Sequence, residues 1–167
     1  MSIIDDLLQD VSLPKMACIE QVFDHQKLED VPGTLRGGLA RPKIRETVRP
    51  GMRIAVACGS RGITQIDLIA KTVVDYLKEC GAHPFIIPAM GSHGGATAEG
   101  QAEMLAGYGI TEERMGVPII SSMEVVKIGE LDDGQDVYID RNAYEADGIV
   151  ILNRVKLHPG FAGAYQS

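Results

Sequence analysis

The sequence predicts an α/β domain: a mainly parallel sheet with helices on both faces, plus a small β-hairpin. Three observations carry this. Short, nearly continuous apolar runs at 53–58 (RIAVAC), 84–88 (PFIIP) and 148–153 (GIVILN) have the length and composition of strands buried on both faces. Between them lie stretches with apolar residues at helical spacing. Strand–helix–strand order with helices of that length implies right-handed crossovers, and hence parallel pairing in a Rossmann-like three-layer arrangement.

In chain order, residues 2–10 have a helical pattern with Ile3, Ile4, Leu7 and Leu8 on one side and Ser2 as N-cap. Residues 16–23 (MACIEQVF) alternate as a strand does. The polar stretch 26–49, with prolines at 32 and 42 and the pair Gly37-Gly38, leaves room for a short helix near 30–39. After the 53–58 strand, Ile66, Ile69, Val73, Val74 and Leu77 mark a helix over 66–80, with Gly81 as its C′ residue. The 84–88 strand leads to a helix over 97–108, with Thr97 as N-cap, Met104 and Leu105 facing inward and Gly109 at its end. Residues 111–115 make one helical turn under a threonine cap, and 117–120 a short strand. Residues 123–129 and 135–139 pair as a hairpin around Asp132-Asp133-Gly134. A short helix at 140–146 precedes the last buried strand, 148–153.

Size and charge narrow the function. The 167 residues suit one domain, and 45% hydrophobic residues suffice for a packed core, an aliphatic one because aromatics are only 5%. A net charge of −7 argues against a nucleic-acid scaffold or an anionic membrane as partner, and leaves room for a local basic pocket. Cys18, Cys58 and Cys80 fit no zinc or CxxC spacing. Cys18 and Cys58 stand in apolar runs and read as buried thiols, which suits a reducing compartment. The amino terminus carries acids where a signal peptide carries bases, and no apolar run reaches the length of a membrane span. A cytoplasmic location is expected.

Open parallel sheets bind ligands where the loops leave the carboxyl ends of the strands. That rule selects 59–65 (GSRGITQ), 89–96 (AMGSHGGA) and 154–163 (RVKLHPGFAG). In the first, Arg61 reads as a bidentate holder of a carboxylate or as a surface arginine beside a turn. In the second, His93 stands among glycines, where packing has little use for it and a general base does; the alternative is an exposed loop histidine. In the third, Arg154, Lys156 and His158 follow the strand, and alternation would put Lys156 and His158 on one side if the strand runs on. His25 and His83 are assigned no role. No P-loop, no Ser-His-Asp order and no GxGxxG occurs.

Together, ACGSRGITQIDLIAKTVV at 57–74, PAMGSHGGATAEGQ at 88–101, SSMEVVKIG at 121–129 and ILNRVKLHPGFAG at 151–163 resemble the nickel-pincer lactate racemase family. The resemblance implies two α/β domains with the active site between them, this chain being the N-terminal one (1–167) with the C-terminal domain absent. It implies racemisation or epimerisation of a 2-hydroxy acid with a nickel-pincer pyridinium mononucleotide: one histidine takes the hydroxyl proton while the α-hydrogen moves to the cofactor ring as hydride. Carried over residue by residue, Arg61 binds the substrate carboxylate and His93 and His158 are the two catalytic histidines. Ser60 and Ser92 stand beside the substrate. Gly91, Gly94, Gly95 and Lys156 contact the cofactor, and no metal ligand is assigned.

Two departures stand out. Cys58 occupies a position that is acidic in lactate racemases, and Ser92 one that is threonine, so the chain resembles a relative of the lactate enzymes more closely than a lactate racemase itself. The family's cofactor-bearing lysine lies beyond the second catalytic histidine, and no lysine follows Lys156. The chain is therefore expected to be inactive alone and to bind no cofactor alone. An exposed apolar face near 150–163 would fit a binding module or a domain that pairs with a separate second half, because the missing domain would normally cover it, and homo-oligomers are expected to hide it. Alternatives from other classes are a small-anion or nucleotide-phosphate binding module and one half of a split enzyme.

Overall fold

The computed structural model describes residues 3–8, 10, 12, 15–23, 27–60 and 62–156. At its centre a three-stranded parallel sheet has the order β2-β1-β5, formed by β1 (Arg53–Cys58), β2 (His83–Pro88) and β5 (Gly148–Leu152). Register is fixed across all three: Ala55 lies opposite Phe85 and Ile149, and Cys58 opposite Pro88 and Leu152. β1 is covered on both faces because its side chains alternate between two cores. Ile54, Val56 and Cys58 enter the larger core with the helices of one face; Ala55 and Ala57 enter a smaller one with Phe85, Ile87 and Ala143.

Helix α4 (Ile66–Glu79) covers the first face with Ala70, Val73, Val74 and Leu77, all essentially inaccessible. Full burial of Val73 or Leu77 stabilises the fold by about 1.5–3 kcal/mol each. Gln65, in left-handed conformation, offers no side-chain cap at the helix start, so packing rather than capping holds that end. Asp67 in the first turn is paired with Arg114 of α6 (Glu112–Met115). At the other end the chain reverses at Gly81, which must be glycine twice over: its φ is +80°, and a Cβ there would lie 3.1 Å from Pro50. Helix α2 (Val31–Leu39) packs outside α4, where Tyr76 donates to the Leu39 carbonyl at 3.1 Å and Arg36 grips Glu79 with two bonds of 2.7 and 2.8 Å. Helix α3 (Pro42–Arg45) continues from it. Helix α5 (Ala98–Gly107) buries Leu105 on the same core, with Met104 packed beside it.

The second face carries α7 (Arg141–Tyr144), through Ala143, and the hairpin of β3 (Val125–Glu130) and β4 (Asp136–Asp140), whose Ile139 packs there. The two hairpin strands pair antiparallel, with an irregularity between Lys127 and Gly129. A short helix, α1 (Ile3–Leu8), opens the chain, and the expected cap Ser2 lies outside the described residues. Among the described residues no helix is long and apolar enough to cross a membrane.

Several expectations need correction. Residues 16–23 form no strand. Alternation supplies a strand-like pattern but not a partner, and both sides of β1 are taken by β2 and β5. Their apolar side chains are exposed, Ile19 at 87%, and Cys18 is exposed with them rather than buried. Residues 117–120 make one parallel bridge, Ile86 with Ile119, instead of a strand: the Ile86 amide donates to the Pro118 carbonyl at 2.9 Å and the Ile120 amide to the Ile86 carbonyl at 2.8 Å, and Pro118 has no N–H with which to extend the ladder. β5 is not covered on both faces: Val150 and Leu152 pack on the larger core, while Ile149 and Ile151 are exposed at 43% and 65%. It also ends at Leu152, so strand alternation does not carry on to Lys156.

These burials make opposite predictions for two aliphatic residues. Leu77→Ala should lower stability by about 3 kcal/mol, the lost transfer energy plus the cavity left behind. Ile151→Thr should change it by less than about 0.5–1 kcal/mol. Urea denaturation of the two variants measures both.

Candidate active site

Because β1 and β2 run parallel in register, their carboxyl ends stand side by side. The ladder continues one residue past them, with the Gly59 amide donating to the Leu152 carbonyl at 2.9 Å and the Ala89 amide to the Cys58 carbonyl at 2.8 Å. Gly59 can pass this close to β5 because it has no side chain; a Cβ would lie 3.2 Å from the Leu152 oxygen. The next residue, Ser60, is nearly buried at 9% exposure, and its Oγ lies 2.5 Å from Nδ1 of His93 on the second loop. A residue two positions past β1 and one five past β2 thus meet above the sheet.

The second loop is built to hold that histidine. Gly91, Gly94, Gly95 and Ala96 all have positive φ, so the chain coils tightly there. The His93 amide donates to the Met90 carbonyl at 3.2 Å. Thr97 caps α5, its hydroxyl accepting from the Gly100 amide and donating to the Gly94 carbonyl, both at 3.1 Å. Gly94 lies directly on Gly100: a Cβ on Gly94 would be 2.5 Å from the Gly100 carbonyl carbon. From beneath, Gln101 donates through Nε2 to the carbonyls of Gly91 at 2.7 Å and His93 at 3.3 Å, and is only 4% exposed.

Ser60 and His93 line a cleft of about 370 Å³ together with Ile63, Met90 and Gly91 and, from the chain leaving β5, Asn153, Arg154 and Lys156. Arg154 reaches back over Gly62, where a Cβ would lie 3.0 Å from one guanidinium nitrogen. Cys58 lies in the core at the end of β1, fully inaccessible, and burial pushes its thiol up to about 12, so it stays neutral. Among the described residues no group of three His, Cys, Asp or Glu side chains could hold a metal ion.

Of the residues singled out from sequence, the structure brings Ser60, His93, Gly91 and Lys156 to one cleft. Ser92 is exposed and outside its lining. Gly94 and Gly95 are outside it too, Gly94 being occupied by its contact with α5. Arg61 and His158 lie outside the described residues, as does His25. Sequence reasoning missed Gln101. Its signal was a polar residue four positions before Leu105, on the inward face of α5, where a buried amide must find hydrogen-bond partners.

The family model of the lactate racemase N-terminal domain matches residues 7–166. No curated protein and no solved structure matches the chain.

Two measurements test this description. Gln101→Ala should cost about 1–3 kcal/mol, because it strands the loop carbonyls it now satisfies, and should speed amide exchange across 91–96. At pH 8 a thiol reagent should modify the exposed Cys18 in the native protein, while Cys58 and Cys80 react only after unfolding; mass spectrometry of the labelled peptides shows the order.

Proposed function

The chain belongs to the lactate racemase N-terminal domain family, and from that premise we propose that it is the substrate-binding and proton-transferring half of a nickel-pincer-dependent 2-hydroxy-acid racemase or epimerase. The observation that carries the proposal is the contact between Ser60 and His93 in a cleft that residues of the third family loop also line. A general base must be within hydrogen-bond reach of its proton, and an imidazole tied down at one nitrogen presents the other for that task.

In this reading Arg61 grips the carboxylate of the hydroxy acid with two parallel hydrogen bonds, and Ser60 and Ser92 add polar contacts. His93 takes the hydroxyl proton of one stereoisomer. His158 does the same for the other, since the two place the hydroxyl on opposite sides. Gly91, Gly94, Gly95 and Lys156 are the candidate contacts to the cofactor, with Gly91 and Lys156 in the cleft lining. In this reading no residue of this chain is assigned to the nickel. A C-terminal domain holds it. Ile149 and Ile151, exposed on the edge strand that ends at the cleft, support that reading, because an apolar face of this kind suits a packed neighbour.

The phosphate-module alternative fits less well. It relies on free amides at the start of α5, and Thr97 already engages that of Gly100.

Calorimetry on the whole chain with lactate, malate and gluconate tests the proposal. At least one acid should bind, and Arg61→Ala should weaken it at least tenfold, about 1.4 kcal/mol. Binding that ignores Arg61→Ala, or none at all, overturns it.

A further inference from the structure

Ser60 does more than border the substrate. Its hydroxyl carries one proton and can give it to one acceptor only, while its oxygen can accept from another group. Among the described residues its partner is His93 Nδ1, at 2.5 Å. A neutral imidazole likewise carries one N–H, on one nitrogen or the other. The contact therefore exists in two forms. In one, Ser60 donates to a bare Nδ1 and the ring proton sits on Nε2, which cannot then accept a proton. In the other, Nδ1–H donates to the Ser60 oxygen, and Nε2 is a free base.

Which form holds depends on what else takes the Ser60 proton. Among the described residues Nδ1 is the acceptor that pairs with the Ser60 hydroxyl, and a hydroxyl that donates there leaves the ring as the Nε2–H tautomer. The backbone that carries the ring is held: its carbonyl accepts from Gln101, its amide donates to the Met90 carbonyl, and the Gly94–Gly100 contact fixes the turn. Among the described residues the cleft lining contains no carboxylate, and Arg154 and Lys156 are its charged members. An incoming carboxylate is thus the strong acceptor that the lining lacks.

We propose that Ser60 is a positioning residue that couples carboxylate binding to the tautomer of His93. The ligand carboxylate accepts the hydrogen bond of the Ser60 hydroxyl, Nε2 gives its proton to solvent water while Nδ1 takes one from it, the hydroxyl oxygen accepts from the new Nδ1–H, and Nε2 is left as the base. The proton balance is simple. On reaction the hydroxyl O–H of the substrate breaks, an Nε2–H bond forms, and the ring becomes an imidazolium whose Nδ1–H still donates to Ser60. No electrons change hands in this step. The base exists only once the acid group is seated. The inference rests on the racemase reading for the identity of the ligand.

Nitrogen-15 NMR of the histidine-labelled whole chain tests it, with the His93 signals assigned by their loss in His93→Gln. In the free protein Nε2 should resonate as a protonated ring nitrogen. Saturation with a hydroxy acid that binds (lactate, malate or gluconate) should move it to the range of an unprotonated one. Ser60→Ala should still bind, more weakly, with a tautomer ratio that is the same with and without ligand; Ser60→Thr should restore the response. A bound acid that leaves the wild-type tautomer unmoved, or a Ser60→Ala ring that still responds, overturns the proposal and leaves the racemase reading standing. Failure of every acid to bind overturns both.

Discussion

The parallel, in-register placement of β1 between β2 and β5 is the constraint from which the site follows. Cys58, Pro88 and Leu152 end their strands at one level, so three loops leave the sheet together. This arrangement requires a central strand that can be covered twice. Ala55 and Ala57 keep one face thin enough for Phe85, Ile87 and the short helix α7 to close over it, while Ile54, Val56 and Cys58 fill the other. The two backbone bonds beyond the strand ends, from Gly59 and Ala89, carry the rigidity of the sheet into the loops. Ser60 is placed by the ladder as much as by its own neighbours.

His93 is placed differently. Its loop has four residues with positive φ, one of them Ala96, where a left-handed backbone costs an L-residue about 1–2 kcal/mol. Such a turn persists only if its surroundings over-determine it. Helix α5 does so in three ways: Gly100 receives Gly94 in direct contact, Thr97 bonds on both sides, and Gln101 satisfies the inward-facing carbonyls. The loop that carries the histidine is thus held from a helix that begins after it in sequence. The third side of the cleft is lined by Asn153, Arg154 and Lys156, which follow the end of an edge strand.

Features set by local pattern were readable from the sequence. The strand at 53–58, the helix from Ile66, the caps at Thr97 and Thr111, and the hairpin around Asp132-Asp133-Gly134 each depend on residues within a few positions of one another, and all form. What failed depends on partners. Residues 16–23 alternate correctly but have no described strand to pair with, and Cys18 goes with them. The 148–153 run is as apolar as 53–58, yet only Val150 and Leu152 pack against a core, so the same composition is half exposed. Of the site, the loops and His93 were legible because glycines around a titratable side chain have few structural uses. Gln101 was not, because its value lies in two carbonyls that only the folded loop brings above it.

Charge gives these elements a common direction. The chain carries 23 acidic residues against 16 basic ones, yet among the described residues no acid lines the cleft. An anion approaching the molecule elsewhere meets net repulsion; at the cleft it meets Arg154, Lys156 and the Ser60 hydroxyl. Cys58 sharpens the contrast. A carboxylate at the end of β1 would place a negative charge below the loop that carries Ser60, and would compete with a ligand for the same donors. A thiol held neutral by burial does neither. The described cleft thus combines cationic side chains with the Ser60–His93 pair, the electrostatic setting that the proposed hydroxy-acid carboxylate would meet.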